Sequence, residues 1–279
     1  MRMSVTRLYV ALCFGALALL STPSIASAQY RPRPMNSESV GEDYHIEASY
    51  DFWNAEPSLI VNSEALNILG TDVNLVSDLG VEKHRLRTLN LTAKPGKKHR
   101  LRFQYLPISY DTDAFRVSRE FIFNGQRYNI GLPVTTQVDF TTYSFGYQFD
   151  FLYFKRGFFG AGVNLKYTNV DINLASPIGV EFVSAAAPIP AFSFGGRAYV
   201  TPNLAIDGEL SLFRVPDKLS EQLEGDGSYT DFDLHGTYNI NKYVGMRLGW
   251  RRTHIFYSVD LDRGDLEFKG MYFGGVVRY

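Results

Sequence analysis

From Tyr44 onward the chain alternates apolar and polar side chains at every second residue, segment after segment. A period of two is the pleat of a β-strand with one face in each environment. Tyr44, Ile46, Ala48, Tyr50 and Phe52 oppose His45, Glu47, Ser49 and Asp51, and Tyr143, Phe145, Tyr147, Phe149 and Phe151 oppose Thr142, Ser144, Gly146, Gln148 and Asp150. Phe159 to Thr168, Phe192 to Val200 and Leu204 to Leu212 repeat the pattern. With 21 Phe and 18 Tyr the apolar faces are rich in aromatics. After residue 28, however, no apolar run approaches the roughly 20 residues a membrane-spanning helix needs. Strands of this kind cross a membrane only as a closed barrel, in which neighbouring strands satisfy every backbone group. The expected fold is all-β: an antiparallel up-and-down transmembrane barrel.

The connections support that expectation. Lys94-Pro95-Gly96-Lys97, Lys155-Arg156-Gly157, Thr201-Pro202-Asn203 and Asn241-Lys242 are tight polar turns. Longer segments fall between them at about 54–82, 112–135, 174–189 and 215–227, with a tight Asp262-Arg263-Gly264 near the end. Short turns on one side and longer loops on the other are the habit of outer-membrane barrels. The crossings number ten, with eight or twelve as alternatives, and an even number leaves both termini on the periplasmic side. Asn124-Gly125 predicts a hairpin in the second long segment, continuing two barrel strands beyond the membrane. The first long segment (Ser63 to Leu69, Asp72 to Gly80) is expected to include a short helical turn.

Met271, Phe273, Gly275, Val277 and Tyr279 share one face of the last strand. A terminal aromatic with apolar residues at alternate positions before it is similar to the C-terminal signature read by the barrel-insertion machinery of the outer membrane, and Phe273, Val277 and Tyr279 are assigned that role. At the other end, Arg2 and Arg7 precede an apolar run from Leu8 to Leu20, and Ala26-Ser27-Ala28 is a small-x-small cleavage pattern. Residues 1–28 are therefore read as a signal peptide, 29–41 as an extended, mobile lead-in and 42–279 as the barrel domain.

Several functions are excluded at this level. The only cysteine, Cys13, lies in the signal, so the mature chain has no disulfide framework, thiolate metal site or Cys nucleophile. Without Arg2 and Arg7 there are 26 basic residues against 29 acidic ones, which is no field for nucleic acid. There is no phosphate-cradling glycine loop, and no cofactor or metal site is expected. The paired glycines Gly195-Gly196 and Gly274-Gly275 lie within strands and are read as relieving crowding.

Asp78-Leu79-Gly80, the run His99 to Tyr105, Phe123 to Tyr128 and Tyr143 to Tyr147 together resemble a widespread group of small outer-membrane barrels with the fold of the OmpA and OmpW type transmembrane domains. The likeness spans most of the mature chain. It implies the fold and carries over no catalytic residue.

If the apolar parity faces lipid, the opposite parity fills the lumen. On the N-terminal strands that set contains Glu47, Asp51, Arg100, Arg102, Gln104 and Asp150. Further along it contains Lys166, Arg197, Asp207, Glu209, Asp231, Asp233, His235, Arg247, Arg251 and Arg278. Both signs are present, which predicts a network of ion pairs closing a narrow barrel. A solute pathway is the alternative. Asp231, Asp233 and His235 share a face and are the sharpest candidate for acid/base work on water. A ten-stranded outer-membrane protease family uses acidic residues with a His, but its motif is not matched here, and pairing of this triplet with Arg247 or Arg251 is expected instead. His254 and Ser258 share a face near the outer rim, the residue types that lipid A deacylases use, again without the local motif. The leading expectation is a non-enzymatic envelope barrel whose external loops contact lipopolysaccharide, surfaces or partners. A narrow channel and a lipid- or peptide-cleaving enzyme are the alternatives.

Overall fold

The computed structural model describes residues 39–63, 70–216, 220, 225–259 and 262–279. The assigned signal peptide and the lead-in as far as residue 38 lie outside the described residues. Ten long strands form the wall: β1 (Ile46–Ser63), β3 (His84–Gly96), β4 (His99–Arg116), β7 (Pro133–Phe154), β8 (Gly157–Ser176), β9 (Gly179–Tyr199), β10 (Leu204–Arg214), β11 (Gly225–Asn239), β12 (Val244–Val259) and β13 (Asp262–Arg278). Each pairs antiparallel with its neighbour, and β13 returns to β1 from Glu47↔Arg278 to Ser63↔Asp262, so the barrel closes without an edge. Three short strands sit apart from the wall: β2 (Val73–Asn74) pairs with β1, and β5 (Phe121–Phe123) pairs with β6 (Gln126–Tyr128) in a separate two-stranded sheet. Asn124 (φ 48°) and Gly125 (φ 78°) make the left-handed two-residue turn between β5 and β6.

The strands are longer than a bilayer requires. β7, β8 and β9 run for 22, 20 and 21 residues, where about 9–11 tilted residues suffice to cross. The half next to the short turns carries a continuous apolar outer face, whereas above it outward apolar residues are scattered, as at Ile60, Val180 and Phe182. On that half Tyr50, Leu89, Leu101, Phe145, Val163, Leu165, Phe192, Phe194, Ile206, Leu248 and Phe273 are exposed. Tyr105, Tyr143 and Tyr167 lie side by side by register at its upper edge, with the first two rings stacked at 5.1 Å, the aromatic girdle of a membrane interface.

Above that girdle the two faces exchange character. Outward residues become Glu56, Ser58, Ser109, Asp139, Asp171, Arg252 and Glu267, while Leu59, Val61, Leu106, Ile108, Phe140, Ile172, Leu174 and Phe268 turn inward and are buried. This exchange corrects the loop boundaries expected from sequence. Segments 54–63 and 174–189 are strand, because alternation continues through them with its sense reversed; β8 and β9 meet in a link of only two residues, 177–178. Asp262-Arg263-Gly264 is likewise strand, the start of β13. The hairpin at Asn124-Gly125 does not extend the wall; it folds inward, with Phe121, Phe123 and Tyr128 buried. Residues 64–69 lie outside the described residues. After β2 the chain coils through two successive i-to-i+4 turns, Asp78 N to Asn74 O (2.8 Å) and Gly80 N to Val76 O (3.1 Å).

The lead-in also differs from expectation. Residues 39–41, expected to be mobile, are packed at the end of the barrel: Val40 N donates to Pro202 O at 2.7 Å, and Ser39 and Gly41 are buried.

Candidate functional site

The interior has two storeys. The lower one, inside the lipid-facing half, is polar because parity sends the charged residues of every strand inward. At the mouth by the termini, Glu42 is buried; its carboxylate pairs with Lys94 and Arg100, both at 3.0 Å, and with Arg197 at 3.5 Å. Burial pushes the Glu42 carboxyl up, and Lys94, Arg100 and Arg197 more than offset it, holding the group below the usual carboxylate range. Arg100 also binds Asp150 (2.7 Å) and the Tyr44 hydroxyl (2.7 Å). Glu47 takes Arg278 at 2.5 Å and Arg197 at 3.1 Å, and Arg197 continues to Asp207.

Further up, Arg102 meets Glu209 at 2.5 Å and Asp51 meets Arg247 at 3.3 Å. Asp231 is saturated: it accepts from Arg251 (2.8 and 3.0 Å), Lys166 (3.0 Å) and Thr253 (2.9 Å). Two glycines leave room for these heads. A Cβ on Gly195 would stand 2.7 Å from Gln148 Oε1 and 3.1 Å from Arg102, and one on Gly274 would collide with Asp51 Oδ1.

The sixteen lumen residues named from sequence, Gln104 and Arg278 among them, all lie in this storey. Glu42 and Lys94 complete the network. Sequence reasoning assigned Glu42 no role beyond opening the domain and placed Lys94 in a turn, although Lys94 shares parity with Thr88, Asn90 and Thr92 on β3. Among the described residues eight cations thus face eight anions, and the network is electrically balanced.

Asp233 and His235 do come together, on β11. Asp233 Oδ1 lies 2.6 Å from His235 Nδ1 and accepts from the Tyr272 hydroxyl at 2.9 Å. Arg247 Nη2 lies 3.0 Å from His235 Nε2. Because a guanidinium only donates, Nε2 accepts and the ring proton sits on Nδ1, directed at Asp233. A general base acting on water needs a free lone pair, and here both ring nitrogens are committed. A polar cavity of about 130 Å³ runs through this storey, from Tyr44 and Glu47 near the mouth, past Arg197 and His235, to Trp53 and Tyr272 at its upper end. His254 points the other way: it lies on the outer face of β12, 2.8 Å from Asp265, and takes no part in the lumen.

The upper storey is apolar. Leu59, Val61, Leu106, Ile108, Tyr110, Val134, Val138, Phe140, Ile172, Leu174, Leu266 and Phe268 line it from the wall, and Val73, Leu75, Leu79, Val81, Val117, Phe121, Phe123 and Tyr128 fill it from the two loops after β1 and β4. Phe121 stacks on Tyr128 at 4.8 Å, and Phe140 lies 5.5 Å from Phe268. The loops are pinned by Arg119 on Asp78 (2.8 Å), Asn124 on Glu181 (2.8 Å) and Asn124 N on Ser63 O (3.1 Å).

Three amphipathic rings make the floor between storeys. Trp53 donates to Gly270 O at 3.2 Å beneath the core, with the Arg251 guanidinium 5.3 Å from its ring. Tyr229 and Tyr272 keep their rings in the core and offer their hydroxyls to the charged network.

A closed ten-stranded wall, an apolar outer belt with a tyrosine girdle and a charged interior define an outer-membrane-type β-barrel. Among solved structures the chain is similar to the outer membrane protease OmpT of Escherichia coli, with a TM-score of 0.57 at 7% identity, covering 86% of this chain and 98% of that one. The attachment invasion locus protein Ail of Yersinia pestis (TM-score 0.34, 8% identity, 83% of this chain and 99% of that one) and the toluene transporter TodX of Pseudomonas putida (0.33, 7%, 84% and 89%) are also matched. At these identities the likeness is one of fold. No family model matches the chain, and no curated protein matches it by sequence.

Proposed function

We propose that this protein is a closed barrel of the bacterial outer membrane that works through the surface it shows outside, without catalysing a reaction or passing solutes. The observation that carries this reading is the double filling of the lumen: a balanced ionic network in the membrane half and a packed apolar core, supplied by the loops, above it. By the habit of such barrels the short turns and both termini lie in the periplasm and the filled storey lies outside. The external wall and cap are then the surface available to lipopolysaccharide, other surfaces and partners. Phe273 and Val277, exposed on the outer face of β13, and the exposed Tyr279 that follows it fit the role of an insertion signature. Residues 1–28 fit an exported leader.

The alternatives have less support. A channel would have to pass the Glu42 cluster below and Phe121, Phe123 and Phe140 above. A hydrolase built on Asp233 and His235 would need substrate to reach groups beneath the Trp53–Tyr229–Tyr272 floor. Two measurements test the proposal. Vesicles holding the purified full chain should swell in small sugars and amino acids no faster than protein-free vesicles; faster swelling contradicts closure. A lipid- or peptide-hydrolysing activity present in the wild type and lost in His235→Ala would contradict the non-enzymatic reading.

A further inference from the structure

Lipid-facing belts end where hydrocarbon gives way to headgroups, and the first outward residue above the belt shows what those headgroups meet. On β12 that residue is Arg252, above Leu248 and Trp250; on β13 it is Lys269, above Met271; on β3 it is Arg87, above Leu89. The strand between, β1, has Asn54 above Phe52, and Asn54 accepts from Arg85 at 3.3 Å. Four consecutive wall strands (β12, β13, β1, β3) thus gather four outward cations at one edge of the belt.

Register sharpens the case. Arg252 lies directly opposite Lys269, a like-charge pairing that costs stability unless something anionic bridges it. Glu267 bridges them in part, at 2.9 Å from Lys269 Nζ and from Arg252 Nε, and Glu56 of β1 lies opposite Lys269 on its other side, so four cations meet two carboxylates at this edge. Arg87, opposite Phe52, is exposed and makes no hydrogen bond or ion pair among the described residues. Arg85 leans over the Phe273 ring at 5.9 Å, and Phe273 stacks on Phe52 at 5.4 Å. The same level on β7 and β8 is opposite in character: Asp139 faces Asp171 across the strands, and neither strand has an outward Lys or Arg above the belt.

From this we infer a binding site on the β12–β13–β1–β3 sector for a phosphorylated, acylated glycolipid of the outer leaflet. Its acyl chains lie on Met271, Phe273, Phe52 and Leu89, and its phosphates are taken by Arg87, Arg252 and Lys269. Arginine matches a phosphate through paired donors, and long cationic side chains reach from a hydrocarbon edge to the headgroup level. The apolar belt below selects an amphiphile over a free anion, and the cations above select an anionic head over a neutral one. This site deepens the proposed function and rests on its placement of the loop end outside.

The test uses the full chain in neutral detergent micelles and native mass spectrometry, with three probes: diphosphorylated lipid A, the same lipid stripped of phosphate, and inorganic phosphate. The diphosphorylated lipid should bind at least about tenfold more tightly than the stripped lipid, and Arg87→Gln/Arg252→Gln/Lys269→Gln should abolish that difference. Arg214→Gln, a single rim cation on β10, should leave it intact. Arg87→Gln alone, which breaks no partner contact in the protein, should weaken binding and guards against misfolding of the triple variant. Equal binding of the stripped lipid, an unaffected triple variant, or inorganic phosphate binding as tightly as the lipid would each overturn the site. Swelling of vesicles made from the same preparation reports separately on closure, so either claim can fail without the other.

Discussion

The Lys166 ammonium donates a 2.9 Å hydrogen bond to the hydroxyl of Tyr229, whose ring is packed in the apolar core above it. At this contact the charged storey ends and the apolar storey begins. Below it Lys166 is shared with Asp231, which also holds Arg251. Removing the carboxylate strands two buried cations, whereas removing the Tyr229 hydroxyl leaves Lys166 its ion pair. Asp231→Ala should therefore cost about 3–5 kcal/mol and Tyr229→Phe about 1–3 kcal/mol, read from denaturant unfolding in vesicles. Equal losses in the two variants would mean that the network does not support the floor.

The cap is expected to stabilise the barrel as a soluble core does. Phe121 is buried between Tyr128 and the wall, and Phe121→Ala should cost about 3–5 kcal/mol. Ile130→Ser, at a residue 71% exposed on the same loop, should be close to neutral. Unfolding midpoints compare the two directly, and a neutral Phe121→Ala would show that the loops rest on the barrel without filling it.

The mouth by the termini should respond to acid. The Glu42 carboxyl is held below its ordinary range in the folded protein, so folding favours its charged form. The stabilisation it contributes is fully present above the unfolded value of about 4.3 and is lost as pH falls through the lower folded value. Stability curves of wild type and Glu42→Gln should run parallel from pH 7 to 5 and converge below about pH 4. Curves that remain parallel to pH 3 would remove Glu42 from the acid response.

Strand alternation made the closed ten-stranded wall legible before any coordinates. The upper storey was harder to read. Leu59, Val61, Ile172 and Leu174 alternate with polar neighbours as the membrane residues do, and nothing local says that their apolar face has moved from lipid to lumen. The reversal depends on where the bilayer stops, a property of the assembled barrel. Segments 54–63 and 174–189 therefore read as loops, and the Phe121–Tyr128 hairpin as an extension of the wall. Parity assigns Asp231, Asp233 and His235 to one face of β11, but it carries no information about partners from across the barrel. That Lys166 would reach Asp231, or Glu42 would fold back onto Arg100, follows from closure of the wall and from the path of residues 39–45 across its end.

The central claim is that the lumen is shut, and single-channel recording tests it most directly. Wild-type protein inserted in a planar bilayer at about 100 mV, where each elementary charge gains about 2.3 kcal/mol, is expected to pass no stepwise current. A variant in which Phe121, Phe123 and Tyr128 are all serine, with Glu42→Gln in the same chain, should begin to conduct. Regular current steps from the wild type would contradict the account and make the barrel a channel.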